Sequence, residues 1–170
     1  DIVYLGNTQP LVTGGGGVTV KYKQVTLSAF FHGRFGQSIV NMARMNNESM
    51  FGSNNQSKAV LRRWKNEGDN TDIPRALYNE GRNYLGSDRF VEKASFVRLK
   101  SMTLSYGFPR KICNRFNVNS LSVFVTGYNL FTWTNYTGQD PEVSVKDNLA
   151  IDTATTPVAK SFSFGLNMSF

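Results

Sequence analysis

Over long stretches of this chain apolar and polar residues alternate with period two. In the closing run KSFSFGLNMSF, residues 160–170, Phe162, Phe164, Leu166, Met168 and Phe170 alternate without a break with Ser161, Ser163, Gly165, Asn167 and Ser169. Successive side chains of a strand point to opposite faces, so this pattern predicts a strand with two unlike faces. Earlier in the chain Val18, Val20 and Tyr22 oppose Thr19 and Lys21. A tight turn at Lys23-Gln24 leads to Val25, Leu27, Ala29, Phe31 and Phe35, which oppose Thr26, Ser28, His32 and Arg34; Phe30 is an aromatic exception among the polar set. Residues 95–108 run in two phases, Val97 and Leu99 first, then Met102, Leu104 and Tyr106. One extra residue near Lys100-Ser101, a β-bulge, restores a single apolar face. In 120–134, Leu121, Val123, Val125, Phe131 and Trp133 share a face.

The expected elements are therefore five long strands, at about 16–22, 25–36, 95–108, 120–134 and 160–170, with the first two paired as an antiparallel hairpin. Residues 1–13 read as an irregular approach. The run GGGG at 14–17 lacks the spacing of a phosphate or dinucleotide loop and reads as a flexible entry to the first strand. Segments 37–94 and 135–159 are polar, without the alternation, and read as long loops; 57–66 is expected to hold a short helix capped by Ser57. Two short connections, 22–24 and 109–118, fall at one end of the strands and the two long loops at the other. Tyr22, Phe35, Tyr106, Phe108, Phe131, Trp133 and Phe170 crowd the strand ends. Long strands, short turns on one side, long loops on the other and aromatic ends describe a transmembrane β-barrel better than a soluble sandwich of short strands.

Composition does not oppose this. The chain has 170 residues, 40% of them apolar, and its mean hydropathy is −0.32. No run approaches the ~18 apolar residues of a spanning helix, but barrel strands leave only a weak hydropathy signal. The net charge of +7 is scattered; Arg62-Arg63-Trp64-Lys65 and Arg110-Lys111 are the only basic clusters, too little for a nucleic-acid surface. Cys113 is the sole cysteine and His32 the sole histidine, so an internal disulfide and a cysteine metal cage are excluded. His32 reads as a polar-face strand residue.

Nothing in the chain reads as catalytic and no cofactor is expected. Asp140 and Glu142 flank Pro141 and read as a solvated turn. Glu67, Asp69 and Asp72 carry oxygens that suit calcium, but not at EF-hand spacing. Asn47, Asn55 and Asn135 each open an Asn-x-Ser/Thr match to the N-glycosylation pattern. The binding candidates lie in the long loops: Arg62, Arg63 and Trp64 in the first, where two guanidinium groups and an indole suit sugar stacking or carboxylate pairing, and Tyr136, Gln139 and Asp140 in the second.

The stretches LGNTQPLVTGG, LRRWKNEGDNTDIPRA, SFVRLKSMTLSYGFP, SLSVFVTGYNLFTWTNYTGQDPEV and the terminal SFSFGLNMSF resemble the C-terminal part of SusC/RagA-type TonB-dependent transporters. The resemblance covers essentially the whole chain. It implies an all-β segment, the C-terminal five antiparallel strands of a large plugged barrel of the 22-stranded type, with extracellular loops at 37–94 and 135–159. It implies the outer membrane of a Gram-negative bacterium, a periplasmic C-terminus, and import of oligosaccharides or oligopeptides under a SusD-like surface lipoprotein. The plug, the TonB box and the remaining strands are then expected N-terminal to Asp1, and TonB would act through them. On this reading Phe162, Phe164, Leu166, Met168 and Phe170 face outer-membrane lipid, and Phe170 also resembles the terminal signal of the barrel-assembly machinery. Two alternatives stay open: a structural or adhesive surface barrel without TonB coupling, and a secreted soluble β-sandwich.

Overall fold

The computed structural model describes residues 3–80, 86–143, 145–146 and 149–170; the parts of the two expected loops at 81–85, 144 and 147–148 lie outside the described residues. In chain order the strands are β1 (Val12–Tyr22), β2 (Val25–Phe35), β3 (Ser38–Asn41), β4 (Val91–Lys93), β5 (Phe96–Gly107), β6 (Ser120–Thr134), β7 (Val145–Lys146), β8 (Leu149–Asp152) and β9 (Ser161–Ser169). Two short α-helices, α1 (Met42–Asn47) and α2 (Arg110–Arg115), and 3-10 turns at Lys58–Arg62 and Asp88–Phe90 join them. The chain divides into two compact units. A sheet unit holds Leu11–Phe35, Ser95–Asn135 and Pro157–Phe170, and a loop unit holds Asp1–Pro10, Gly36–Ala94 and Tyr136–Thr156.

The sheet unit is a five-stranded antiparallel sheet in the order β1-β2-β5-β6-β9. Its register puts like with like. Val20 pairs with Leu27, Leu27 with Leu104, Leu104 with Val125 and Val125 with Phe164, so one apolar row crosses all five strands. The expected bulge is present. Lys100 is skipped between Phe30↔Ser101 and Phe31↔Leu99, and Asn129, at φ +53°, takes up the step on the β6 side. The two phases of β5 thereby join one face, as the phase slip in the sequence requires.

Much of that apolar face is exposed. Phe162, Phe164 and Leu166 are 63%, 78% and 57% exposed, and Val20, Leu104, Phe131 and Trp133 are exposed as well. Among its rings, Phe31 and Phe131 lie 6.3 and 6.1 Å from Trp133. The opposite face is polar, more enclosed, and hydrogen-bonded across strands. Thr103 and Thr126 share a hydroxyl bond of 2.8 Å, Thr19 and Ser28 one of 3.0 Å, and the buried Arg98 donates from Nε to Thr132 Oγ1 at 2.9 Å. His32 sits on this face opposite Arg98, its ring 6.0 Å from Phe96.

The glycine run is not a loose entry. Gly14 to Gly17 lie inside β1, paired with Gly33 to Phe30 of β2. The correction has a physical cause in Phe30, whose ring lies against the places where side chains of Gly15 and Gly17 would be. The exception to the alternation thus covers the bare backbone of the outer strand. Phe124 does the same for Gly165 on β9 at the other edge. Aromatic cover of a glycine in a neighbouring strand restores contacts that the missing side chain gives up.

The loop unit departs from the expectation of long irregular loops. Within it β4-β3-β8-β7 form a small mixed sheet, antiparallel except for the parallel pair β3 and β8. Ile39, Ala94, Tyr136 and Ala150 are its buried core, flanked by Val143 and Val145. The expected helix at 57–66 is shorter and tighter: a 3-10 turn at Lys58–Arg62, with Ser57 Oγ accepting from the N–H of Ala59 at 3.2 Å.

Candidate functional site

The polar centre of the loop unit is built on β3, α1 and β4. Asn41 ends β3 and caps α1, its Oδ1 accepting from Arg44 N at 2.8 Å. The cap sets Arg44 where its Nε reaches Glu48 Oε1 at 2.9 Å, one helical turn on, and its Nη1 reaches Glu92 Oε1 at 3.1 Å. Glu92 also accepts from Asn41 Nδ2 at 3.2 Å, from the Thr137 backbone N–H at 3.0 Å and from the Thr137 hydroxyl at 2.8 Å. Burial by itself would raise the Glu92 carboxyl; the Thr137 and Arg44 hydrogen bonds outweigh it and hold the group below the usual carboxylate range. Burial likewise disfavours the Arg44 charge, and its bonds to Glu48 and Glu92 more than restore it. Arg89, 3.9 Å from Glu48 and stacked 4.5 Å from the Phe90 ring centre, is lowered by burial.

A second group of contacts fastens the segment after β6 to β8. The buried Tyr136 hydroxyl donates to Asp152 Oδ2 at 2.7 Å, and Ala154 N donates to Asp152 Oδ1 at 2.9 Å. Burial first, then the hydrogen-bonded Asp152, push the Tyr136 phenol upward. Gln37 Nε2 donates to the carbonyls of Ala94 and Pro141 at 3.0 and 3.1 Å.

Between these groups opens a cleft of about 570 Å³, lined among others by Asn41, Arg44, Asn47, Arg62, Gln139 and Asp152. A smaller cleft of about 390 Å³ is lined by Met50, Gln56, Val60, Arg63 and Tyr78. The candidate residues therefore divide. Arg62 and Gln139 share the larger cleft and Arg63 lines the smaller. Arg62 is also paired loosely with Asp72 at 3.7 Å, both side chains exposed, a contact of little energetic weight. Trp64 is half-buried, its N–H donating to Ile73 O at 2.9 Å. Tyr136 is a core residue, and Asp140 accepts from Glu142 N at 2.9 Å in its own turn.

Asp69 accepts from the N–H groups of Asn66 and Lys65, which lower its carboxyl, and so closes a turn. Among the described residues no three His, Cys, Asp or Glu side chains converge on a metal position. Arg44, Asn41, Glu92 and Asp152 were absent from the sequence-based candidates. The Arg44/Glu48 spacing of four was readable as a helical ion pair, whereas nothing in the sequence joins Glu92 to Thr137.

No family model matches the chain. Among curated proteins it is similar to TonB-dependent receptor P3 of Formosa agariphila, 29% identical over 174 residues, covering 98% of this chain and 17% of that protein. It is similar to TonB-dependent receptor P26 of the same organism at 29% over 177 residues, covering 100% of this chain and 18% of the relative. Among solved structures it superposes on the RagAB peptide transporter with a TM-score of 0.80 and 27% identity, over 96% of this chain and 18% of that one. Along nearly its whole length the chain is thus similar to TonB-dependent receptors and to the RagAB transporter. It spans less than a fifth of the length of the relatives it matches. The five-stranded sheet matches the RagA barrel fold, and the relatives are receptors and transporters, not enzymes.

Proposed function

We propose that the sheet unit is a stretch of outer-membrane barrel wall, the C-terminal five strands, in an importer energised through TonB. One observation carries the reading: an apolar row runs unbroken across all five strands, exposed at Val20, Leu104 and Phe164 and half-buried at Leu27 and Val125, while the hydroxyl-bonded face behind it is the more enclosed. In water such a face is costly at about 25 cal/mol per Å²; in lipid it is the expected exterior. Phe162, Phe164, Leu166, Met168 and Phe170 then face lipid. The loop unit faces the cell exterior under a SusD-like lipoprotein, Phe170 ends the chain on the periplasmic side as an assembly signal, and the plug with its TonB box lies in the part of the receptor beyond this chain.

For the cargo, the similarity to a peptide transporter favours oligopeptides over oligosaccharides. The larger cleft supports this, since Arg62, Asn47 and Gln139 offer donors and acceptors suited to peptide carboxylates and amides. The wall is tested by a nitroxide at Phe164→Cys in the complete receptor, reconstituted in bilayers. Collision with oxygen is expected to exceed collision with a water-soluble nickel chelate. The reverse order would remove the barrel reading and leave a soluble sandwich. Uptake of labelled peptides, lost when the receptor gene is deleted, tests the cargo; loss of oligosaccharide uptake alone would overturn the peptide assignment.

A further inference from the structure

At one end of the sheet the charged side chains are all of one sign. The β1–β2 turn, the β5–β6 connection and the end of β9 meet there, as Tyr22↔Val25, Gly107↔Ser122 and Ser120↔Ser169 require. Residues 19–26, 106–121 and 165–170 contain Lys21, Lys23, Arg110, Lys111 and Arg115 and no Asp or Glu. All five basic side chains are exposed, and among the described residues none is held in an ion pair.

The connection is ordered, which fixes where these charges stand. Phe108 N donates to Leu121 O at 2.9 Å and Asn119 N to Ser169 O at 2.7 Å. Between them Cys113 and Val118 are buried, and Cys113 Sγ donates to Phe108 O at 3.5 Å. The outward side of α2 then carries two stripes of residues four apart. Lys111 and Arg115 form one; Ile112 and Phe116 form the other, 37% and 64% exposed. Beside them Tyr22, Tyr106 and Phe170 continue the apolar face to its edge, and Lys23 Nζ lies 5.3 Å from the Tyr22 ring centre.

A basic stripe beside an apolar stripe, with aromatic rings at the margin, is the pattern of a segment lying in a lipid headgroup layer. We propose that this end of the sheet docks on an anionic phospholipid leaflet, with Lys23, Arg110, Lys111 and Arg115 on the headgroup phosphates and Ile112 and Phe116 in the boundary with the acyl chains. The inference rests on the barrel-wall reading, because a sheet whose apolar face lies in lipid brings this end to a headgroup layer. Lipid is favoured over an acidic protein because the same end of the sheet carries the exposed Tyr22, Tyr106 and Phe170 of the apolar face, with Lys23 over the Tyr22 ring.

The test uses the complete receptor in bilayers containing spin-labelled phosphatidylglycerol or spin-labelled phosphatidylethanolamine, and reads the fraction of label slowed at the protein surface. Native protein is expected to prefer phosphatidylglycerol by about fivefold or more, the factor of one basic side chain at an anionic surface. Molar salt should remove the preference. The combined Lys23→Gln, Arg110→Gln, Lys111→Gln and Arg115→Gln variant should bring the two lipids close to parity, while Lys23→Arg with Lys111→Arg should keep the preference. Equal association of both lipids with native protein overturns the proposal, and so does a preference that survives the glutamine variant. Slowed label of neither kind would instead remove the barrel wall itself, which separates the two failures.

Discussion

Phe90 and Phe164 show how differently the two units treat the same side chain. Phe90, in the loop unit, is fully enclosed, with the Arg89 guanidinium stacked on its ring. Phe164, in the sheet unit, is 78% exposed in a row of other exposed apolar residues. The loop unit encloses an apolar core, with Ile39, Ile73, Phe90 and Ala94 buried, and pairs its enclosed charges. The sheet unit inverts this arrangement, bonding its hydroxyl groups to one another on the more enclosed face. One sequence thus contains two burial patterns. On the barrel-wall reading the difference is one of solvent, because a face that is wrong for water across five strands is right for lipid.

The contrast breaks first at the aromatic pair. Phe90→Ala leaves a cavity in a closed core and should cost about 3–5 kcal/mol. In the complete receptor it should appear as early proteolysis and faster hydrogen exchange in segment 86–94 with the barrel intact. Phe164→Ala should change neither, since lipid fills the space. Equal damage from both changes would mean that the two rings share one environment.

A charge sharpens the contrast within the sheet. Leu104→Arg puts a cation in the middle of the apolar row and should cost about 2–4 kcal/mol if that row crosses the bilayer. The neighbouring Thr103→Val faces the other way and gives up one hydroxyl bond, about 1 kcal/mol. The readout is the midpoint of urea unfolding from lipid vesicles. A tolerated Leu104→Arg would place that face in water.

What could be read from the sequence followed the length of each pattern. The long strands carry enough alternation to reveal their faces, and the slip at Lys100 was visible because apolar parity changes there. The strands β3, β4, β7 and β8 are two to four residues long, too short for any period to show. Their pairing brings Ser38 to Lys93 and Val40 to Ile151 across long loops, which local pattern does not encode. The glycine run misled because its order comes from Phe30 on the neighbouring strand. The site was half legible. Arg62 and Gln139 line one cleft, but Tyr136 is enclosed in the core and Trp64 is half-buried outside the lining of both clefts. The carboxylates that tie the loop unit together, Glu92 and Asp152, act through partners distant in sequence.

Tyr136 separates a structural from a binding role by a smaller effect. Tyr136→Phe keeps the ring and leaves Asp152 Oδ2 without the 2.7 Å bond in a buried place. The loss should be about 1–3 kcal/mol of local stability, read as exchange of the amides at 150–154. Unchanged exchange with weakened cargo uptake would return Tyr136 to the binding residues.

The smallest effect is on pH dependence, and it tests whether Glu92 is the hub of the loop unit. Its carboxyl is lowered in the folded state, so its contribution is complete above the ordinary glutamate pKa and is lost as pH falls through the lower folded value. Arg44 is raised, so its share would be lost only in strong alkali and does not enter the acid range. Asp69 is lowered too, by the N–H groups of Asn66 and Lys65, and contributes its own loss in acid. Comparison with Glu92→Gln removes that background. The variant should be less stable than the parent by about 1 kcal/mol at neutral pH, and the two should converge as pH falls below the carboxylate range. A constant difference across the acid range would mean that Glu92 holds Thr137 and Arg44 equally well without its charge, and that the hub depends on hydrogen-bond geometry alone.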